Sequence, residues 1–410
     1  MRTGIRILTG ILAVVCSVLW GLVCWMNGTL PDRYWVTESG VVQLSPLITA
    51  TATQENKAIT TVRHSVGSNY HLTLRLFDCI PLKSAVATVV DTPVVIPCGT
   101  PFGIKMYTEG VLVVGMTDVQ TAVGLVNPAQ KAGIRTGDVI LSMDGQPVNT
   151  TGEVAAYIEN CGGRTIEVRI RRDNLTFTVR FTPARCVEDS SYKAGLWVRD
   201  SSAGIGTMTF YDPETGYFGG LGHGVCDVDT GDLLPISTGE VVPARIFDVV
   251  AGVSGTPGEL CGTFEPGTLG TLVQNGENGV YGTLRRAPVL QEAMPIALKQ
   301  QVKKGKVQIL TTLDGTTPAW YEAEIEQVRL GDGGNGRNMV LHITDETLLA
   351  CTGGIVQGMS GSPIVQDGKL VGAVTHVFVN DPTRGYGIFA ENMLETAQSV
   401  AEKQQFKKVS

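Results

Sequence analysis

An almost unbroken apolar run covers residues 7–26, with Arg2 and Arg6 ahead of it. Twenty residues at ~1.5 Å rise span ~30 Å, the depth of a bilayer's hydrocarbon core. A secretory signal has a shorter apolar stretch and a small-residue cleavage site, and "WMNGTLPDRYW" offers no such site. The run therefore predicts a retained membrane helix. The two arginines place the N-terminus in the cytoplasm and everything after Asn27 outside it. Beyond the helix the period drops to two. In "YHLTLRLFDCIPL", His71, Thr73 and Arg75 alternate with Leu72, Leu74 and Leu76, as in a strand with one wet face. Ile166, Val168 and Ile170 alternate with charged residues, Asp173-Asn174 turn the chain, and Leu175, Phe177, Val179 and Phe181 alternate on return. Asp367-Gly368 marks another two-residue hairpin. One helical turn at residues 129–132, capped by Gly133, and a short helix from Glu153, ended by Gly162, interrupt the strands. The fold class is mainly β after one N-terminal helix.

These patterns divide the chain into a cytoplasmic tail (1–6), a transmembrane anchor (7–26), an extracytoplasmic linker with a small β region (27–100), a compact domain (101–185) and a larger strand-rich domain (186–405). The polar, Thr-rich "SPLITATATQENKAITTVRHSVGS" reads as an exposed linker. The element order of residues 101–185 resembles a PDZ domain, with "AGIRTGDVILSMDG" (132–145) as its most specific stretch. Such a domain takes a peptide as an added strand. The matching edge is "PFGIKM", where Phe102, Gly103 and Ile104 would offer backbone N–H groups. Val154 and Ile158, four apart on the helix, would line the facing wall. A domain that only packs on its neighbour is the plainer alternative.

Composition narrows the chemistry. The net charge is −7, without the basic footprint of a nucleic-acid binder. Of nine cysteines, Cys16 and Cys24 lie in the apolar run, and the other seven show no metal-ligand spacing. Neither a metal nor another cofactor is indicated.

"GMSGSP" (358–363) stands just before the Asp367-Gly368 hairpin. It leads into strands, not a helix, which argues against the elbow of an α/β-hydrolase and for a chymotrypsin-like β-barrel peptidase. In that arrangement Ser360 is the nucleophile, and the N–H groups of Gly358 and Ser360 form the oxyanion hole. Gly361 would leave room for substrate, and Ser362 would support the turn. A serine needs a base held in one tautomer. His223, within "GGLGHGVCDVDTGD", is preferred as base. His376 and its neighbour Thr375, on the strand after the hairpin, are expected to line the substrate side. Asp227, Asp229, Asp232 and Asp345 all remain candidates for the acid.

"GLWVRDSSAGIGTMTFYDPETGYFGGLGHGVCDVDTG" and "ITDETLLACTGGIVQGMSGSPIVQDGKLVGAVTHVFVNDPTRGYGIF", with the PDZ-like domain before them, closely resemble the stage IV sporulation protein B peptidases of endospore-forming bacteria. The resemblance implies Ser360 as nucleophile, His223 as base and Asp345 as acid. It also implies self-cleavage near the N-terminus, expected here between residues 45 and 57. The partners it implies are the chain itself, the forespore inner membrane and a membrane-associated regulatory protein. Cutting that regulator would release an intramembrane protease that processes a sigma factor. A scaffold with an inactive peptidase fold is one alternative. A general quality-control peptidase is another, although those usually place the PDZ domain after the protease.

Met359 occupies the place where chymotrypsin-like enzymes carry an Asp that pairs with a newly freed N-terminal amine. A methionine cannot make that ion pair, so activation by it is excluded. Met359→Leu is expected to leave peptidase activity nearly intact. A large loss in a cleavage assay would contradict this.

Overall fold

Two 16-residue strands organise the molecule. The protein's structure, a computed structural model, describes residues 2–37, 44, 47–54, 57–58, 66–91, 93–173, 175–286, 288, 291–331 and 336–409. Helix α1 (Arg2–Thr29) opens the chain, and its stretch Gly10–Thr29 is long and apolar enough to cross a membrane. A five-stranded sheet follows, built from Arg33–Val36, Ile48–Gln54, Lys57–Ala58, Asn69–Leu76 and Ile80–Val89. Leu72, Leu74 and Leu76 are buried in it, as their alternation requires. The Thr-rich stretch is not a linker throughout. Ile48–Gln54 pairs antiparallel with Asn69–Leu76, because alternating Thr and Ala also suit a pleated strand. Residues 45, 46, 55 and 56 of the expected self-cleavage stretch lie outside the described residues.

Strand β1 (Pro101–Met116) has two jobs. Its second half belongs to the PDZ unit with α2 (Pro128–Lys131), β2 (Val139–Met143), α3 (Thr151–Asn160), β3 (Ile166–Arg172) and β4 (Leu175–Phe181). Thr150 and Glu153 form a capping box that starts α3, two residues before the expected start. Val111, Val113, Ile140, Val154, Ile158, Ile166 and Val168 share this unit's core.

The first half of β1 is a wall of a barrel. It pairs on one side with β5 (Leu196–Tyr211) and continues through β6 (Tyr217–Gly220), β7 (Ile236–Val250), β8 (Gly270–Gly276) and β9 (Gly279–Leu284). The pairings run β1-β7-β8-β9-β6-β5 and return to β1, which closes the ring. This corrects the expected peptide edge. Phe102, Gly103 and Ile104 pair with Gly206, Ile205 and Gly204 on one side and with Pro243, Val242 and Val241 on the other. Phe102 and Ile104 are buried. A strand paired on both edges has no N–H row left to offer a peptide. Nor does a boundary fall at residue 101, since β1 and β5 each run unbroken from the PDZ unit into the barrel.

A second closed barrel comprises β10 (Gly305–Thr311), β11 (Ala319–Val328), β12 (Met339–Ile343), β13 (Pro363–Gln366), β14 (Lys369–Phe378) and β15 (Asp381–Phe389). Asp367 and Gly368, both with positive φ, join β13 to β14. Helices α4 (Glu346–Thr352) and α5 (Ala390–Val409) complete the fold, which is mainly β with a PDZ unit and a chymotrypsin-like barrel pair.

One buried charge in the PDZ unit has a single ionic partner. Asp138, 1 % exposed, meets Arg172 Nε and Nη2 at 2.6 and 2.7 Å. Removing one partner of a buried pair strands the other. Arg172→Ala is expected to lower unfolding stability by about 3 kcal/mol, read from urea melts of the full chain. A change under ~0.5 kcal/mol, the range of an ordinary surface substitution, would contradict it.

Candidate active site

Ser360 sits in the turn between Val356 and β13. The turn is tied down from three directions. Thr207 on β5 donates its N–H to the Ser360 carbonyl (3.0 Å) and its hydroxyl to the Gly358 carbonyl (2.7 Å). Thr209 Oγ1 donates to the Gly361 carbonyl (2.7 Å), and Gly361 N–H donates to Val374 O on β14 (2.7 Å). Gly358 has φ +94° and Gly361 φ +96°, conformations that favour glycine. A Cβ on Gly361 would lie 2.0 Å from the Thr207 carbonyl oxygen. Its missing side chain therefore clears barrel backbone rather than a substrate, which corrects the expected role. Ser362 is fully buried, and its hydroxyl donates to Thr311 Oγ1 (2.9 Å).

Among the described residues, neither the Gly358 N–H nor the Ser360 N–H donates to a protein acceptor. Both residues border a cavity of about 540 Å³ between the barrels. Unpartnered N–H groups beside a serine hydroxyl are what an oxyanion hole requires. The Ser360 hydroxyl donates to the Thr375 carbonyl (2.6 Å).

His223 follows a strained turn in which Leu221 (φ +65°) and Gly222 (φ +70°) both adopt left-handed backbone. The glycines around it are there for packing. Gly219 and Gly220 lie against the Phe210 and Phe102 rings, and Gly222 lies against Thr375 and Ile388. His223 Nδ1 is 2.9 Å from the carbonyl of Gly224. A carbonyl only accepts, so Nδ1 carries the proton and Nε2 is left as the basic nitrogen. Burial holds this histidine below its ordinary value.

His376 also lines the cavity, its ring centroid 4.8 Å from that of His223. Burial first, then the charges of His223 and Arg337, push it down to about 4. Its Nδ1 is buried without a hydrogen-bond partner. Ser360, His223, His376, Thr375 and Gly358 thus surround one cavity.

Asp345 does not join them. It is the N-cap of α4, accepting the N–H groups of Thr347 and Leu348 at 3.0 Å, and of Glu322 at 3.2 Å. The other acidic candidates lie elsewhere too. Asp227 is buried against Arg199, Asp229 pairs with the same arginine, and Asp232 is exposed. No carboxylate lines the cavity. In this conformation the orienting contact that a triad gives to an acid is made by the Gly224 carbonyl. The cap role of Asp345 was legible, since Asp followed by Glu and an apolar run is a helix-start signal.

Val154 and Ile158 border a second cavity of about 840 Å³ beside α3, faced by Leu196, Trp197 and Val198 of β5. The facing wall of the expected peptide groove is therefore in place. The strand across from it is β5, which sequence reasoning missed because β5 follows the PDZ unit in the chain.

Comparisons with known proteins agree with this architecture. The family profile described as SpoIVB peptidase S55 matches residues 190–394, half of the chain, and a PDZ profile matches 123–172. Two curated relatives are named as candidate zinc metalloproteases. That of Bartonella henselae is 33 % identical over 88 residues, covering 22 % of this chain and 24 % of that one. That of Rhizobium meliloti is 32 % identical over 136 residues, covering 32 % and 35 %. The chain thus spans about a quarter to a third of the length of these relatives. None of its five histidines precedes a glutamate as in H-E-x-x-H. Among solved structures, the HtrA-type protease AlgW with decapeptide is 16 % identical, with TM-score 0.30, covering 50 % of this chain and 55 % of that one. The active form of the M. tuberculosis protease Rv3671c is 13 % identical, with TM-score 0.29, covering 49 % and 74 %.

A base must be neutral to accept a proton. Because burial lowers the His223 pKa, its neutral form persists to lower pH than usual. The acidic limb of kcat/KM is expected to have its midpoint below 6.5, the ordinary histidine value, in a peptide-cleavage pH profile. A midpoint above 6.5 would contradict the assignment.

Proposed function

Since the chain belongs to the SpoIVB peptidase S55 family, we propose that it is a membrane-anchored serine endopeptidase that cleaves itself and then a membrane-associated regulatory protein during sporulation. The observation that carries this reading is the meeting of Ser360, His223 and two unpartnered N–H donors at one cavity. Helix α1 would hold the chain in the forespore inner membrane with its folded domains outside the cytoplasm. Cutting the regulator would free an intramembrane protease to process a sigma factor, as the family resemblance implies.

The reaction uses groups already in place. The Ser360 hydroxyl turns from the Thr375 carbonyl toward His223, whose Nε2 takes its proton as Oγ attacks the scissile carbonyl carbon. The Gly358 and Ser360 N–H groups receive the oxyanion. His223 then gives the proton to the leaving amine, and water completes the cycle by the same route. The freed Thr375 carbonyl and the neighbouring His376 backbone offer the substrate a strand to pair with. A neutral His376 beside His223 adds no repulsion when His223 becomes charged. Asp345, the acid that the resemblance implies, would have to leave its cap to meet His223, which costs about 1 kcal/mol of helix stability.

Wild type and Ser360→Ala, each as full chain in lipid vesicles, distinguish a peptidase from an inactive scaffold. The wild type is expected to shorten at its N-terminal side while Ser360→Ala stays intact, followed by mass spectrometry. Equal persistence of both forms, or equal cleavage, would overturn the reading.

A further inference from the structure

Between Leu196 and Gly206, β5 pairs with β1 along one edge only, and no described strand covers its other edge. That open edge has a different neighbour at each end. Near Leu196 it faces α3, across the groove bordered by Val154, Ala155 and Ile158. Residues 202–206 border the catalytic cavity. Asp200, between the two, accepts the N–H and hydroxyl of Thr151 at 2.8 and 3.2 Å, which fixes the start of α3 alongside the strand. The end of the groove away from the cavity is walled by Tyr192 and Lys193, whose strand packs on α3.

We infer that this edge is one continuous docking track for the C-terminal segment of the substrate polypeptide. The segment adds antiparallel to β5, with its C-terminal residue at the blind end of the α3 groove and its scissile bond at Ser360. The inference rests on the peptidase reading and specifies its substrate. Three features point to this occupant. An unpaired strand edge recruits extended chain through its backbone groups. The groove is apolar and closed at one end, as suits a chain terminus. Its open end continues into the catalytic cavity. Leu196 and Gly206 stand about ten positions apart, ~33 Å at ~3.3 Å per residue. The track is therefore a ruler, placing the cut about 8–10 residues before the substrate's C-terminus.

Docking can be read without turnover. Full-length Ser360→Ala is mixed with randomised 16-residue peptides carrying a benzophenone on the C-terminal residue, or nine residues upstream of it. Cross-links are mapped by mass spectrometry. The C-terminal probe is expected on α3 or residues 196–198, and the upstream probe on residues 202–206. Ala155→Arg, at an exposed groove position, is expected to cut the C-terminal cross-link at least tenfold. A C-terminal probe found in the catalytic cavity, labels independent of probe position, or insensitivity to Ala155→Arg would overturn the inference. Wild-type digests of the same peptides separate the two readings. Cuts with no fixed distance from the C-terminus sink the ruler but leave the peptidase, whereas ordered cross-links with no cuts sink the peptidase but leave the docking track.

Discussion

Thr207 joins the two halves of the candidate site. Its N–H and hydroxyl hold the carbonyls of Ser360 and Gly358, and its own carbonyl accepts the N–H of Leu221, two residues before His223. One residue of the first barrel thereby fixes both the nucleophile turn of the second barrel and the turn that carries the base. Each of these bonds contributes only about 0.5–1.5 kcal/mol net. Their larger consequence is geometric. With the Gly358 and Ser360 carbonyls turned toward β5, their N–H groups are left for the cavity. The 2.0 Å approach available at Gly361 lets the two backbones come this close.

The same strand carries more than the active site. Along β5, Leu196 faces the α3 groove, Arg199 grips the loop after His223 through Asp227 and Asp229, Asp200 caps α3, and Thr207 holds the nucleophile turn. A flexible linker would decouple a binding domain from a catalytic one. Here β1 and β5 pass through both, so a shift of the PDZ unit displaces strands that border the catalytic cavity. Met359, fully buried in the core of the second barrel, fits the same view: the turn is held by packing and backbone bonds, without an ion pair.

Much of this was readable beforehand because local rules and tertiary packing agree. The apolar run, the alternating strands, the Asp367-Gly368 hairpin and the capping of α3 each follow from near neighbours in sequence. Ser360 and His223 stood out through the glycines around them, although those glycines serve the barrel backbone more than the substrate. The failures share a cause. Whether "PFGIKM" is an edge or a central strand depends on partners a hundred residues away, β5 and β7, and nothing local encodes that. The true groove strand lies downstream of the PDZ pattern for the same reason. Asp345 satisfied two local descriptions at once, catalytic acid and helix cap, and the coordinates place it in the cap. The Thr-rich stretch was judged by its polarity when its β-branched side chains carried the signal.

The central claim is that Ser360, activated by His223, is the nucleophile of this cavity. Reaction of the purified full chain with diisopropyl fluorophosphate, with the adduct located by mass spectrometry, tests it most directly. A single adduct on Ser360, forming at least ~10² more slowly in His223→Ala, is the predicted result. An adduct on Ser362, or one on Ser360 that forms equally fast without His223, would contradict the account.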